Sequence, residues 1–542
     1  MSVPDELLKA YYAQIFPCDD IASWLSHGDS SLFYKRELSY NKKDNVIRYL
    51  SYRDGPTFRA SLVSKCPDKI DIGPIMSHPP CERSSVEPGC FVDHQREFIM
   101  DIDLTDYNDI RGCCKGAAIC ERCWPLANFA VTVLDRALRE DFGFTDILWA
   151  FSGRRGVHCW VCDESARKMS NDHRKALVDY LEVIKGSKVH LPPVLPPCLQ
   201  RADEQVDNFF ADHVLPVMDV LNNPPAREKL LSFIPDEELR ASLLGAWTAE
   251  EEVTTSAQKW EQLCAECASP SRSRQKWTLD RAIRDIRWYC CYPRLDANVS
   301  MIMKHLLKSP FCVHPGTGLV SIPLSARHIN DFKPWLATAG PVLTSSSTES
   351  AGSLMAKLAK QQAAAPAVTT EAAQPQAPRR VPGVDLPWFE CPPSIWDVCT
   401  LTVQQGNLPP DVAFEQTPLR DHIRYFRALI ARFQHNSGFH PAPPFDNLGE
   451  FDEAPYLLLH PDQQPRETVT VGGPALPIRH PEEEEAATVQ AATSTWYSKE
   501  DEDEEDEEDE DGDGRRPRRT SDDIEELELA RPRPHKVKKE QA

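Results

Sequence analysis

Two aspartates, one residue apart, close the segment Arg96-Glu-Phe-Ile-Met-Asp-Ile-Asp-Leu104. Side chains two apart on a strand share a face, so Asp101 and Asp103 project together while Phe98, Met100, Ile102 and Leu104 face the core. Carboxylates held that close repel each other unless a cation sits between them. A pair of magnesium ions would let them activate an attacking hydroxyl and stabilise a departing phosphate. A solvated Asp-x-Asp on an edge strand fits the same letters. Asp296, after Pro293-Arg-Leu and before the helical pattern Asn298–Leu307, supplies a third acid, and it serves equally well as a helix N-cap.

Basic residues stand where such a site needs them. Ser152-Gly-Arg-Arg-Gly-Val-His158 forms a tight turn between two apolar runs. Gly153 and Gly156 permit close backbone approach, and Arg154 and Arg155 can grip phosphate oxygens through planar forks. Ser152 and His158 add a hydroxyl and an imidazole. Solvated arginines at a hairpin tip are the plainer reading of that turn. Downstream of Asp296, His305-Leu-Leu-Lys308 and then His314 place a lysine at a helix end and a histidine at a strand end, where both can converge on one triphosphate. In Lys35-Arg-Glu37 the acid is as readily one half of a structural ion pair as a catalytic group.

Cys113, Cys114, Cys120 and Cys123 put four thiols within eleven residues. That density suits a closed tetrahedral zinc site of structural type, although adjacent cysteines such as Cys113 and Cys114 seldom both ligate. Cys264, Cys267, Cys290 and Cys291 lie on helical patterns and read as buried free thiols.

The elements that must hold these residues alternate. Asn45–Tyr52, Arg96–Leu104 and Ile147–Phe151 read as strands and Pro125–Leu138 as an amphipathic helix. Val157–Val161 returns antiparallel to Ile147–Phe151. Helical patterns then dominate at Leu177–Ile184, Phe209–Leu221, Arg227–Leu244 and Thr278–Trp288, before strand signals return at Phe311–Val313 and Leu319–Ile322. This organisation predicts a core over residues 1–337, with the cysteine motif at 113–123 and a helical subdomain at about 164–288. An Ala/Pro/Ser-rich linker follows at 338–383. A segment at 384–441 contains a helix over 417–435, and a Pro-rich and acidic tail, disordered, covers 442–542.

The net charge of −22 is unusual for a chain that would handle phosphates. Much of it lies in the tail, where Pro481–Ala542 holds 23 acids against 10 Lys/Arg. Within it, Glu500–Asp513 is thirteen acids in fourteen residues, and self-repulsion keeps such a run unfolded. No stretch approaches the ~18 apolar residues of a membrane span, and Met1–Tyr12 has no signal-peptide core. Eighteen cysteines spread through a long chain fit a reducing compartment. These features predict a soluble intracellular protein with no membrane contact. Arg515–Arg519 and Arg531–Lys539 are short basic groups of the nuclear-import kind.

Taken in order, YKRELSY, KIDIGPIMSH, FIMDIDLTDYND, RGCCKGAAICERCW, ALREDFGF, FSGRRGVHCWVCDE and PRLDANVSMIMKHLLKSPFCVHPGTG resemble the small catalytic subunit of eukaryotic and archaeal DNA primases, from about residue 30 to about 325. The resemblance is weak between Met169 and Gln275. It implies a mixed α/β (α+β) primase catalytic core with an attached zinc motif, and synthesis of short RNA primers on single-stranded DNA. By the same resemblance Asp101, Asp103 and Asp296 hold Mg2+ (or Mn2+), and Glu37 joins Asp101 and Asp103 in the catalytic set. Cys113, Cys114, Cys120 and Cys123 bind Zn2+. Asp71, Ser152, Gly153, Arg154, Arg155, Gly156, Val157, His158, His305, Leu306, Leu307, Lys308 and His314 line the ribonucleoside triphosphate site. A heterodimer with a large primase subunit carrying an iron–sulfur cluster, a replicative DNA polymerase complex and a nuclear location are further implications. A repair-type primase-polymerase and an inactive zinc-bearing scaffold are the rival readings.

Overall fold

In the computed structural model, which describes residues 3–43, 45–249, 254–337, 391–399 and 413–436, the candidate residues are divided between two antiparallel sheets. The strands are β1 (Arg36–Lys42), β2 (Asn45–Leu50), β3 (Lys69–Met76), β4 (Asp93–Gln95), β5 (Phe98–Asp103), β6 (Ile147–Phe151), β7 (Gly156–Val161), β8 (Ile184–Lys185), β9 (Lys188–Val189), β10 (Leu307–Lys308) and β11 (Pro323–Leu324). The first sheet runs β10-β3-β1-β2, with β4 also on β3, and the second runs β11-β6-β7-β5. Strands β6 and β7 are buried throughout, as apolar runs covered on both faces must be.

Helix Pro125–Glu140 opens on a proline at its first turn, where the missing N–H costs nothing, and buries ten side chains. Helix Gly55–Lys65 is started by a capping box, Thr57 N–H donating to Asp54 at 2.8 Å and Asp54 N–H to Thr57 at 3.3 Å. Its Phe58 meets Tyr52, Phe16 and Phe33, and Tyr52 stacks on Tyr40 of β1, so this helix covers one face of the first sheet. The stretch Ser309–Ile322 ties the two sheets together. Ser309 N–H donates to Ile70 at 2.9 Å, and Phe151 N–H donates to Ile322 at 2.8 Å.

Several expected elements change on folding. Arg227–Leu244 is two helices, Pro224–Leu231 and Glu237–Ala249, because Pro235 lacks an N–H and Asp236 caps the second helix through Leu239 N–H. The helix over Leu177–Ile184 is Asn171–Leu181, and Ile184 enters β8. Phe209–Leu221 is a π-helical stretch, Phe210–Met218, that continues helix Pro197–Phe209. Asn298–Leu307 is helical only over Ala297–Met301. Leu307 and Lys308 pair instead with Ile72 and Asp71, so Lys308 stands on a strand and not at a helix end. In place of strands at Phe311–Val313 and Leu319–Ile322 there are two isolated bridges, Val313 to Val320 and Leu319 to Ser394, since Phe311 at φ 61° kinks the chain.

Helix Arg420–Asn436 packs Phe426 against Trp24 and Phe311, with Arg427 paired to Asp20 at 2.8 Å. Residues 391–399 lie along the turn at Gly318, where Trp396 occupies the space a Cβ would need. The linker 338–383, the rest of 384–441 and the tail 442–542 lie outside the described residues. No helix among the described residues is long and apolar enough to cross a membrane.

A buried ionic cluster locks β1 to the start of β5. The Arg36 fork donates to Glu97 at 2.7 and 2.9 Å, His27 lies against the same carboxylate, and Arg174 donates to the Glu97 carbonyl at 3.1 Å. Burial would raise the Glu97 pKa, but Arg36 and His27 more than offset it and hold the carboxyl well below the usual range. A depressed carboxyl stabilises the fold above its unfolded pKa of about 4.3 and loses that contribution as the pH falls through its folded value. Burial holds His27 near 4, so at pH 7 the Arg36 guanidinium is the charged partner of the Glu97 carboxylate. Glu97→Gln should therefore destabilise the protein at pH 7 by about 3–5 kcal/mol, because that buried cation loses its partner. Melting curves should show the deficit shrinking below about pH 4; a variant as stable as the parent at pH 7 would show that the cluster is not a stabilising lock.

Candidate active site

The two acids of β5 lie directly across from the basic turn. Asp101 pairs in register with His158 and Asp103 with Gly156. His158 Nε2 stands 3.7 Å from Asp101 Oδ1, and Arg155 Nε donates to Asp103 Oδ1 at 2.6 Å. Thr105 holds the same oxygen through its N–H at 2.8 Å and its hydroxyl at 2.9 Å. Asp296 caps Ala297–Met301 through Val299 N–H, and its own N–H meets the Asp101 carbonyl at 3.3 Å. The N-cap role and a place beside Asp101 are thus combined in one residue.

Burial, reinforced by Asp103 and Asp296, pushes the Asp101 carboxyl up to about 7. Burial would raise Asp103 too, but Arg155 and Thr105 more than offset it and its pKa falls. One strand face therefore carries an acid whose charge is costly and a second whose charge is already compensated. Three hard oxygen donors with accumulated negative charge are what Mg2+ or Mn2+ takes as ligands, so the donor set fits such an ion.

Gly153 and Gly156 are steric requirements. A Cβ at Gly156 would stand 2.2 Å from the Ile102 carbonyl oxygen across the ladder. At Gly153, φ is +81°, and a Cβ would meet His314, the Leu319 carbonyl and Lys308 Nζ at 3.1–3.3 Å. The turn is closed from within, since Ser152 Oγ accepts from Gly156 N–H at 3.0 Å, so the serine hydroxyl is engaged in shaping the loop. Arg154 has no acid partner among the described residues.

Lys308 joins the two sheets. It pairs with Asp71 through its backbone in the first sheet, and its ammonium donates to the Ser152 carbonyl of the second. Burial lowers its pKa to about 8. His158 and His314 are driven to about 3, first by burial and then by Lys308, so both rings are neutral near pH 7. The His314 Cβ packs against Gly153 while its ring Nδ1 accepts from Gly316 N–H at 3.1 Å, and His305 is partly buried near Asp296 and Asp71. Leu306 packs over Gly73, next to Glu37. Val157 and Leu307, in contrast, turn to the opposite strand faces and are buried in the core, so only their backbones border the site.

Glu37 is buried and gripped by Arg48, with Nε to Oε1 at 2.9 Å and Nη2 to Oε2 at 3.1 Å. Asp71 accepts from Asn41 at 2.6 Å and meets Lys69 Nζ at 2.9 Å. Arg48, Asn41 and Lys69 escaped the sequence reading. Arg48 lies in a run correctly read as a strand, but a bulge against β1 sets its aim, and alternation alone cannot reveal a bulge. Asn41 and Lys69 share strand faces with Glu37 and Asp71 at two-residue spacing, which is the signal that could have found them.

The four cysteines converge. Their sulfurs all lie within 4.8 Å of one another, with Cys120 and Cys123 3.9 Å apart. A tetrahedral zinc with Zn–S of ~2.3 Å needs sulfurs about 3.8 Å apart, so the set fits, the adjacent pair Cys113 and Cys114 included. Cys120 N–H and Arg111 both point at the Cys123 sulfur. Among the described residues no other group of three or more His, Cys, Asp or Glu side chains is drawn together this way. All eighteen cysteines are free thiols. The motif also makes two outward contacts. The Gly116 carbonyl accepts from Arg155 at 3.3 Å, and Arg122 donates to the Val217 and Met218 carbonyls at 2.7 and 2.9 Å.

Comparison with known proteins points to one family. A family model described as DNA primase small subunit matches residues 100–326. The chain is 37% identical over 363 residues to the DNA primase small subunit of Drosophila melanogaster, covering 63% of this chain and 81% of that one. It is 36% identical over 344 residues to the DNA primase small subunit of Schizosaccharomyces pombe, covering 61% and 76%. For the Saccharomyces cerevisiae DNA primase small subunit the identity is 32% over 341 residues, covering 61% and 83%.

Proposed function

Since the chain belongs to the DNA primase small-subunit family, we propose that it is the catalytic subunit that builds short RNA primers on single-stranded DNA, by attack of a primer 3′-hydroxyl on the α-phosphate of a ribonucleoside triphosphate. The observation that carries this reading is the meeting of Asp101 and Asp103, the Arg154–Arg155 turn and Lys308 across two sheets. Asp101, Asp103 and Asp296 would hold the Mg2+ or Mn2+, which supplies activation of the attacking oxygen and neutralisation of charge on the phosphates. Lys308 and Arg154 bring fixed positive charge to the triphosphate, and Arg155 is oriented between Asp103 and the Gly116 carbonyl. His158 and His314, neutral at pH 7, serve as hydrogen-bond donors to phosphate oxygens rather than as charges. Glu37 is kept in place by Arg48, beside Gly73 and Leu306. Such preorganised donors need no rearrangement when charge develops in the transition state.

A small subunit works within a primase complex. The partners implied are a large subunit, a replicative DNA polymerase complex, the single-stranded template and ribonucleoside triphosphates, in the nucleus. Zinc held by Cys113, Cys114, Cys120 and Cys123 would be structural. A full set of acids with its basic counterparts speaks against an inactive scaffold.

Primer synthesis on single-stranded DNA, with and without an added large subunit, tests this. Short RNA products that require a divalent cation and increase with the large subunit are expected. No products with both subunits present would overturn the reading. Efficient synthesis from deoxyribonucleotides by the chain alone would favour the repair-type enzyme.

A further inference from the structure

Strand β2 carries a bulge beside Glu37. Leu38 pairs with Leu50 and Tyr40 with Ile47, so Arg48 and Tyr49 together stand opposite Ser39 alone. Tyr49 takes a left-handed conformation, φ 61°, which a bulky side chain adopts only under constraint. The bulge sends the Arg48 fork onto Glu37 with its guanidinium 5.3 Å from the Tyr49 ring centroid, and sets that ring beside the loop before β4. There Phe91 meets the ring edge-on with centroids 6.0 Å apart, and the Arg83 guanidinium lies 4.2 Å from its centroid. Arg83 is exposed and has no acid partner among the described residues. Val46 and Ile47, just before Tyr49, and Val92, just after Phe91, are 59%, 41% and 43% exposed.

The plain reading is a surface ring cluster that pins the loop before β4. It leaves two features unexplained. Glycine would hold this backbone without strain, so the ring is retained at a cost, and strained residues collect where a ligand is bound. An uncompensated guanidinium set on aromatic rings offers a phosphate contact next to a stacking surface, the combination that binds single-stranded nucleic acid without regard to sequence. The cluster is also continuous with the catalytic site, because Tyr49 N–H reaches Glu37 Oε1 at 3.4 Å.

We propose that Tyr49, Phe91 and Arg83 form a platform for the single-stranded DNA template where it passes the Glu37 side of the active site, with a base on the rings and a backbone phosphate on Arg83. This rests on the primase reading for the identity of the strand. It also explains how a chain of net negative charge holds template locally: one uncompensated cation and π-faces replace a broad basic surface.

The test is binding of a short labelled single-stranded DNA, and of an RNA of the same sequence, to the full-length chain by fluorescence anisotropy at two salt concentrations. Tyr49→Gly should weaken DNA binding about tenfold, while Tyr49→Phe stays close to the parent, as stacking requires. Arg83→Gln should weaken binding and flatten the salt dependence. The melting temperature of Tyr49→Gly should be unchanged or higher, because glycine suits φ 61°. Should Tyr49→Gly fail to fold, the exposed Arg83→Gln decides alone. Parental DNA affinity in Tyr49→Gly and Arg83→Gln, or a loss confined to the RNA, overturns the proposal. Primer synthesis by the parent protein is scored separately. Priming with a Tyr49-independent affinity removes the platform and leaves the enzyme; Tyr49-dependent binding without priming does the reverse.

Discussion

Asp101→Asn and Asp103→Asn should each lower nucleotide addition by at least about a thousandfold while leaving a folded protein, since a lost metal ligand removes several kcal/mol of transition-state stabilisation. The two variants should differ in stability. The Asp101 carboxyl is pushed up to about 7 by burial and by Asp103 and Asp296. Its charged form therefore opposes folding above the unfolded carboxyl pKa, and the neutral amide removes that cost. Asp101→Asn should melt higher than the parent at pH 8, with the difference vanishing toward pH 4. Asp103 is the reverse, because its charge is compensated by Arg155 and Thr105; Asp103→Asn should melt lower at pH 8. Primer-extension rates together with melting curves at both pH values check the pair. A folded Asp101→Asn protein extending primers at the parental rate would remove the carboxylates from the mechanism.

The second large effect concerns the cysteines. One zinc per chain is expected, and replacing Cys120 and Cys123 together with Ser should abolish it and lower the melting temperature markedly, because metal binding and local folding are one equilibrium. The damage should travel along the two outward contacts. Without the motif, Arg122 no longer caps the carbonyls of Val217 and Met218, so amide exchange should quicken across Phe210–Met218. Arg155 loses the Gly116 carbonyl, which loosens its hold on Asp103. Metal analysis and hydrogen exchange measure both. An iron–sulfur absorption band, or full stability with no metal at all, would contradict the assignment.

Local chemistry made a good part of this legible beforehand. The hairpin of β6 and β7 follows from five turn residues between two apolar runs, and the shared face of Asp101 and Asp103 follows from strand alternation. The four-cysteine cluster follows from density of thiols. Each is decided within about a dozen residues, where the backbone period and side-chain type leave few arrangements.

Other features depended on partners far away in the chain. Lys308 reads as the end of a helix, yet the free edge of β3, more than two hundred residues upstream in sequence, offers hydrogen bonds that a short helical stretch cannot match. Glu37 has two equal readings until Arg48 is seen to hold it, and Arg48 is aimed by a bulge that depends on how β2 registers against β1. Alternation within the sequence determined which side chains share a face. The pairing of distant backbone edges, which releases free energy only when both edges are present, decided which faces meet and placed acids from one sheet beside a lysine from the other.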